Sequence, residues 1–352
     1  MKLGIIGLPQ TGKKLLFELL TGSVALSADK QKAAAGVAEI KDPRFESLVS
    51  MYLPKKEVRA RIDLSLLPGF ETSSAAEKDI FRDIADVDAL CHVVRAFSSS
   101  SVYHVNGSVN PSRDIENMNA ELLLHDLIFI EKRMERIAKD LRARDEKRLH
   151  EEEKLLARFR ERLEAGAPLR GAVISDEESK AIASYPFLTR KPILIALNTA
   201  DAETKTDDAV EKLCAAAGMD SVSIPVQLEW EISKLDSAEE QREFMADSGI
   251  TESALVLLSS LSMKALGLIS FFTVGKDEVR QWLIRRGSSA PEAAGAIHTD
   301  IQRGFIRAEI MKYADLIEFE TEDGVKKAGK FHIMGKDYTV EDGDIINFRF
   351  NV

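Results

Sequence analysis

The stretch Lys2-Leu-Gly-Ile-Ile-Gly-Leu-Pro-Gln-Thr-Gly-Lys-Lys14 decides how the chain begins to fold. A short apolar run ends in glycine and proline, and a helical stretch follows from Lys13 to Thr21. Residues 7–14 fit the phosphate-loop pattern G-x-x-x-x-G-K-[ST] except at the last position. Because the pattern lies between a strand and a helix, backbone N–H groups and the helix N-terminus can hold phosphate oxygens. The alternative is a glycine-rich turn that binds nothing. The predicted phosphate contacts are Gly7, Pro9, Gln10, Thr11, Gly12, Lys13, Lys14 and Leu15.

Lys14 is the departure from this pattern. The hydroxyl usual at this position is a Mg²⁺ ligand, and an ammonium group cannot coordinate a cation. We therefore expect Mg²⁺ binding to be weakened or abolished. One hypothesis is that the Lys14 ammonium lies near the cation position and supports phosphate binding without a metal.

Four further apolar runs have the near-continuous hydrophobicity of strands buried on both faces, and helical segments separate them. They favour a parallel α/β sheet. The runs are Val58 to Leu67, Ala89 to Phe97, Pro192 to Leu197 and Ser221 to Val226.

The second of the expected nucleotide elements is a carboxylate at the end of a strand. Asp63 is the candidate, as a partner that contacts the metal through its bound water. In a D-x-x-G motif that begins there, position 66 is leucine and the nearest glycine is Gly69. A plain strand aspartate without a metal role is the equal alternative.

The third element is Asn198-Thr-Ala-Asp201, which follows the fourth apolar run and is similar to the base-reading motif N-K-x-D. The alternative is an Asx turn after a strand, which has the same residue pattern without any contact to a base. Gln227 and Leu228 are predicted to back the base, and Trp230 could stack on a purine or fill an empty base pocket.

A long charged segment, residues 113–165, has a different period. Leu127, Ile130, Met134, Ile137 and Leu141 recur at spacings of three and four, and a second stripe contains Leu156, Phe159 and Leu163. Two stripes with a charged break between them indicate two antiparallel helices that form a coiled-coil arm. Two ordinary surface helices are the alternative.

From Phe271 onward, short runs alternate with turn signals and predict a small α+β module with one helix, Ala290 to Gln302. Its predicted strands are Leu316 to Phe319, Lys330 to Ile333, Tyr338 to Val340 and Ile345 to Val352.

Composition limits the function classes. The chain has 352 residues, 45% hydrophobic and 30% charged, with a net charge of −10, which argues against polyanion binding through bulk charge. Neither a membrane span nor a secretory signal is indicated, so we expect a cytoplasmic protein with no membrane or DNA partner. Cys91 and Cys214 match no metal or redox spacing and are expected to be buried thiols.

Together these residues resemble the YchF (Obg-like ATPase) family along nearly the whole chain. Its landmarks are matched by Gly7 to Lys13, Asp42-Pro-Arg44, Cys91-His-Val-Val-Arg95, His104-Val-Asn-Gly-Ser108, Arg113-Asp-Ile-Glu116, Phe271-Phe-Thr-Val-Gly275, Ala293 to Asp300, Gly304 to Glu309, Gly335 to Tyr338 and Asp342 to Val352.

The resemblance implies a GTPase-like α/β domain with a mostly parallel sheet (residues 1–112 and 168–265), an inserted antiparallel coiled-coil arm (113–167) and a C-terminal β-grasp TGS domain (268–352). It implies ATP in preference to GTP, although Asp201 in place of the family's glutamate blurs that choice. It also implies association with ribosomes or RNA through the TGS domain. The threonine that the family offers to Mg²⁺ is absent, and Lys30 takes its aligned place.

Three hypotheses therefore remain open. The first is a purine-nucleotide-binding regulator of translation whose Mg²⁺-dependent hydrolysis is weak or lost. The second is a nucleotide-free adaptor that binds ribosomes or RNA through the TGS domain and the arm. The third is a fully active ATPase with a rearranged metal site. No catalytic residue is assigned, and His104 and His298 are each more readily explained as structural or surface residues.

Overall fold

A computed structural model of the chain describes residues 1–23, 33–68, 76–202, 207–250 and 252–351. The chain divides into two compact units. The first contains Met1–Gly36 and Asp63–Ala254, and the second contains Val37–Ile62 and Leu255–Val352. The predicted sites at Lys30 and Gly69 lie outside the described residues.

Strands and helices alternate through most of the chain. In chain order, the strands are β1 (Lys2–Ile6), β2 (Ala34–Glu39), β3 (Lys56–Val58), β4 (Arg61–Leu66), β5 (Ala89–Arg95), β6 (Ile193–Asn198), β7 (Asp220–Ile224), β8 (Leu268–Thr273), β9 (Glu278–Arg285), β10 (Phe305–Lys312), β11 (His332–Met334) and β12 (Asp344–Phe350). The helices are α1 (Lys13–Thr21), α2 (Pro43–Tyr52), α3 (Ala76–Ala85), α4 (Pro111–Ala143), α5 (Lys147–Glu164), α6 (Asp176–Ala181), α7 (Asp208–Ala216), α8 (Val226–Ile232), α9 (Ala238–Asp247), α10 (Ala254–Ala265), α11 (Ala290–Ile297), α12 (Thr299–Arg303), α13 (Tyr313–Phe319) and α14 (Glu322–Lys327).

The first sheet has the order β2-β4-β1-β5-β6-β7, and β4, β1, β5, β6 and β7 run parallel. Every residue of β5 and of β6 is buried, which explains why their sequences are apolar except at His92, Arg95 and Asn198. Because parallel strands end at one edge of a sheet, the loops after β1, β4, β5, β6 and β7 meet there. The predicted α/β fold is confirmed.

The charged segment forms the two helices α4 and α5, which three residues connect. The two predicted apolar stripes pack against each other, with Ile130 and Ile137 of α4 buried beside Leu156 and Phe159 of α5. Asp126 of α4 is fully buried, and its carboxylate accepts hydrogen bonds from the Leu188 and Thr189 amides at 2.9 Å each and from the Thr189 hydroxyl at 2.7 Å. The helical pair is thus fixed to the chain that leads into β6.

The second unit contains a mixed sheet of order β11-β10-β12-β8-β9-β3. One face packs against α11, and the other packs against α2, α13 and α14. Polar contacts add to this packing, because Arg44 of α2 binds Asp42 and Asp342 at 2.8 Å each. Residues 37–62 therefore share a core with the C-terminal third of the chain, which the sequence did not indicate.

Two of the predicted C-terminal strands are wrong. Leu316 to Phe319 belongs to helix α13, where Leu316 is buried and Ile317 is 42% exposed. Residues 338–340 form no regular strand and contribute one bridge, between Ser289 and Thr339. The last predicted strand is confirmed as β12, and β11 begins two residues after the predicted Lys330.

Both cysteines are buried free thiols, as predicted. In the part of the chain that the structure describes, no helix has the length and apolar character needed to cross a membrane.

Candidate nucleotide site

The loop between β1 and α1 has a backbone that only glycine can adopt without strain at two of its positions. Gly7 has φ 146°, and a Cβ atom there would lie 2.4 Å from the carbonyl oxygen of Val93. Gly12 has φ 93°, and its Cβ would lie 2.3 Å from Asn198 Nδ2. Both contacts are shorter than any real Cβ contact, so the two glycines of the motif are required by the fold as well as by phosphate chemistry.

The start of α1 faces the loop with backbone N–H groups. Its N-cap residue, Gly12, provides no side-chain cap, and its first turn contains no acidic residue. The first N–H groups of a helix have no intrahelical acceptor and carry the positive end of the helix dipole, so an anion is favoured there. Gln10, Thr11, Gly12, Lys13, Lys14, Leu15 and Glu18 line an open depression of about 460 Å³ at this point.

Lys13 lies across the loop. Its ammonium group donates to the Gly7 carbonyl and, at 3.1 Å, to the Leu8 carbonyl. The Thr11 hydroxyl donates to the same Leu8 oxygen at 3.0 Å, and Thr11 is buried. The lysine charge is therefore held at the mouth of the loop, within reach of an anion bound on the helix amides.

Asn198 connects two loops at the edge of the sheet. Its Nδ2 donates to the Thr11 carbonyl at 3.0 Å, and its Oδ1 accepts from the Val226 amide at 3.3 Å. Because Asn198 is buried, both bonds are shielded from water. Asn198 thus joins the phosphate loop to the start of α8.

The other predicted base contacts lie around this link. Asp201 is exposed three residues beyond Asn198, and the intervening Thr199 donates its hydroxyl to the Asp201 carbonyl at 2.8 Å. Gln227 and Leu228 lie in the first turn of α8. Gln227 is exposed and donates to Glu231 at 2.6 Å, whereas Leu228 is half-buried.

Trp230 is half-buried, and its Nε1 has no acceptor among the described residues. One face of its ring lies 5.1 Å from the Lys234 ammonium. The neighbouring Glu229 is buried, and its carboxylate accepts from the Ala254 amide at 2.8 and 2.9 Å. Burial raises the pKa of Glu229 to about 7, although the Ala254 N–H opposes that shift. No pattern in the sequence indicated this contact.

Lys14 does not point into the loop. Its side chain is 66% exposed, and its Nζ lies 3.9 Å from Glu18 Oε1, one turn further along α1. The hypothesis that this ammonium lies at the cation position therefore needs a rotamer change, which would break only a weak surface ion pair.

The assignment of Asp63 as a metal partner is wrong. Asp63 pairs with Lys2, at the start of β1, and its exposed carboxylate lies 3.8 Å from the terminal amino group. Gly7 lies five positions after Lys2 along the extended chain. At a rise of about 3.3 Å per residue, Asp63 is therefore about 16 Å from the phosphate loop. β4 starts at Arg61, later than the predicted Val58. Asp63 therefore lies near the N-terminal end of β4, whereas the phosphate loop lies beside its C-terminal end.

The end of β4 that does reach the loop contains leucine. Leu66 pairs with Ile5, and the Leu67 amide donates to the Ile5 carbonyl at 3.0 Å. A D-x-x-G motif at this level of the sheet would begin at Leu66 and end at Gly69. Leucine therefore replaces the carboxylate of the motif.

These residues do not fit a Mg²⁺ ion. Mg²⁺ requires oxygen ligands in octahedral geometry, and the protein usually supplies a hydroxyl and a carboxylate. Lys14 and Leu66 hold those two places and offer no side-chain oxygen. Within the described ranges, no group of three or more His, Cys, Asp or Glu side chains could hold a metal ion.

Two histidines lie near the end of β5. His92 is buried, and burial together with the Lys13 charge lowers its pKa to about 3, so it stays neutral behind the loop. His104 is also buried, with Nε2 3.0 Å from Asp114 Oδ2 and Nδ1 accepting from the Asn106 amide at 3.1 Å. His104 is therefore a buried residue between its own loop and the start of α4, the surroundings of a structural residue.

Known proteins share this architecture. The family model YchF-GTPase_C, described as "Protein of unknown function (DUF933)", matches residues 268–351. The "Ribosome-binding ATPase YchF" of Bacillus subtilis is 38% identical over 99% of both chains. The "Obg-like ATPase 1" of Caenorhabditis elegans is 35% identical over 100% of this chain and 92% of its own.

A solved structure agrees with these relatives. The YchF GTPase of Schizosaccharomyces pombe superposes with a TM-score of 0.84 and 31% identity, over 99% of this chain and 97% of the S. pombe chain. Identities of this size over whole chains show that the chain belongs to the YchF (Obg-like ATPase) family.

Proposed function

We propose that this protein is a cytoplasmic, ribosome-associated regulator that binds a purine nucleotide, ATP or GTP, without depending on Mg²⁺, and that its hydrolytic activity is weak or lost. The observation that carries the proposal is the loop of residues 7–13. It combines two glycines in their required conformation, uncapped helix amides and the Lys13 ammonium at one edge of the sheet.

The side chains beside that loop favour weak hydrolysis. Lys14 and Leu66 replace the hydroxyl and the carboxylate of a Mg²⁺ site. In phosphoryl transfer the metal neutralises charge that develops on the transferred group, and a positioned residue orients the attacking water. Leu66, at the place of the motif's carboxylate, has an apolar side chain and can do neither. Binding can survive these changes because the amides and Lys13 remain.

Ribosome association rests on the named relatives, which include the Bacillus subtilis ribosome-binding ATPase. We further propose that residues 113–167 act as a coiled-coil arm and that residues 268–352 act as a TGS domain. The arm proposal is supported by the packing of α4 on α5, and the TGS proposal by the mixed sheet with α11 on one face.

Replacing Lys13 by methionine tests the nucleotide site. The change keeps the length of the side chain and removes its charge, so we expect affinity for ADP and for a non-hydrolysable ATP analogue to fall about 10- to 100-fold, as for the loss of a charge-assisted hydrogen bond. Isothermal titration with adenine and guanine nucleotides measures the effect.

Lys14→Met is the comparison variant, and its affinity should change less than about 3-fold because its charge is exposed and paired weakly. Equal affinity of wild type and Lys13→Met would contradict the proposed site. If the wild type binds no nucleotide, the protein is the nucleotide-free adaptor instead.

A further inference from the structure

The helical pair carries a second cavity, separate from the nucleotide site. It has a volume of about 470 Å³ and opens between α4, α5 and residues 181–186. Its floor contains Arg133, Glu152 and Tyr185, and its rim contains Lys132, Arg136 and Arg148. Nothing in the nucleotide site explains this concentration of cations.

The floor of the cavity is electrically balanced. Arg133 binds the Glu152 carboxylate with two parallel hydrogen bonds of 2.6 and 2.9 Å, and the Tyr185 hydroxyl donates to the same carboxylate. Burial by itself would raise the pKa of Glu152, but the hydrogen bonds from Arg133 and Tyr185 lower it overall. The Glu152 charge is therefore hydrogen-bonded to Arg133 and also interacts at longer range with Arg148, so one carboxylate faces four cations of the cavity lining.

The three rim cations lie together. Lys132 and Arg136 are one turn apart on α4, and Arg148 is one turn before Glu152 on α5. The Arg133–Glu152 contact shows that these two residues lie side by side on the antiparallel helices. One helical turn from them towards the α4–α5 link lie Arg136 on α4 and Arg148 on α5, so these two residues are also neighbours. All three are exposed, and no carboxylate of the described residues lies within ion-pair distance of them.

The walls of the cavity are flat and apolar. Phe129, Tyr185 and Pro186 line it, and the Phe129 and Tyr185 rings meet edge to face at 5.2 Å. Three free cations beside aromatic surfaces are the combination that binds single-stranded nucleic acid, in which phosphates contact the cations and bases stack on the rings. An acidic peptide would use the cations but would leave the rings without a stacking partner.

We propose that this cavity is a binding site for single-stranded RNA, with phosphates at the rim cations and a base against the aromatic wall. This cavity would provide a contact surface for ribosomal RNA, so the inference rests on the proposed ribosome association. On a chain of net charge −10, binding depends on these local cations, because the protein as a whole repels a polyanion.

Fluorescence anisotropy with a labelled 20-nucleotide oligo(U) RNA tests the site. The variant Lys132→Glu/Arg136→Glu/Arg148→Glu should bind at least about 30-fold more weakly than wild type. Its slope of log affinity against log salt should fall by about 2, since each lost phosphate contact removes roughly 0.7. Thermal unfolding followed by circular dichroism checks that the variant is folded.

The control is Arg142→Glu/Lys154→Glu/Lys212→Glu, which makes the same change in net charge at exposed helical positions outside the cavity. Its affinity should stay within about 3-fold of wild type. The inference is overturned if both variants lose affinity equally, if the cavity variant binds like wild type, or if the wild type does not bind the RNA. It is also overturned if a 20-residue poly-glutamate binds the wild type as tightly as RNA does.

Sedimentation with ribosomes separates this inference from the proposed function. If the wild type does not sediment with ribosomes, the proposed association fails, and the anisotropy result alone decides the RNA site. If wild type and cavity variant sediment equally, the association stands and the cavity is not its contact surface.

Discussion

Replacing Gly12 by alanine should lower nucleotide affinity by more than about 100-fold. The new Cβ would lie 2.3 Å from Asn198 Nδ2, and the φ of 93° is unfavourable for any residue with a Cβ. The loop must move to relieve the clash, which breaks the Asn198 bond to the Thr11 carbonyl and misplaces the amides that hold phosphate. Because all phosphate contacts of the loop depend on its shape, they are expected to be lost together. Isothermal titration with ADP measures the change.

Gly22→Ala is the matched control for this prediction. Gly22 ends the same helix with φ 65°, and no atom of the described residues lies within 4 Å of its Cβ position. The substitution should cost about 1–2 kcal/mol of stability from the left-handed backbone and leave nucleotide affinity unchanged. Equal affinity losses in the two variants would show that backbone strain, and not the shape of the loop, explains the effect.

Replacing Asp126 by alanine should lower the free energy of unfolding by about 3–5 kcal/mol. The change leaves two buried N–H groups and the Thr189 hydroxyl without their acceptor and opens a void beneath α4. Urea unfolding followed by circular dichroism measures it. Asp140→Ala, at an exposed position on the same helix, should shift stability by less than about 0.5 kcal/mol. A shift below about 1 kcal/mol for Asp126→Ala would mean that this carboxylate does not anchor the helical pair.

The parts of the fold that local pattern determines were predictable. The strands β5 and β6 are buried on both faces, so their apolar runs are continuous, and the stripes of α4 and α5 repeat with the period of a helix. The phosphate loop was recognisable because its glycines are required by the backbone itself.

Long-range register could not be read from the sequence. The error at Asp63 arose because the sequence of β4 does not show its register against β1. The pairing of Ile5 with Leu66 gives that register and places Leu66, not Asp63, beside the phosphate loop. For a similar reason, the place of α2 in the second unit depends on contacts between residues almost 300 positions apart, such as Arg44 with Asp342.

Short apolar runs were ambiguous as well. Leu316 to Phe319 contains three apolar residues in four, a pattern that fits either a strand or one turn of helix. Packing on the second sheet decides the outcome, since α13 buries Leu316 and leaves Ile317 exposed.

The register of β4 also changes which residue stands at the metal site. The sequence alone placed the carboxylate of Asp63 near the cation and Leu66 at the glycine position of D-x-x-G. The pairing of β4 with β1 instead places leucine at the carboxylate, so both the hydroxyl and the carboxylate that usually serve Mg²⁺ are replaced.

Binding of nucleotide phosphates without Mg²⁺ is the central property proposed for the loop, and isothermal titration of a non-hydrolysable ATP analogue tests it most directly. The titration is done once with several millimolar Mg²⁺ and once with excess EDTA, on the wild type and on Lys14→Ser/Leu66→Asp. We expect the wild-type affinities in the two buffers to agree within about 3-fold, and the double variant to gain a preference for Mg²⁺, because a hydroxyl and a carboxylate are then available to the ion. A wild-type affinity more than about 10-fold higher with Mg²⁺ than with EDTA would contradict Mg²⁺-independent binding.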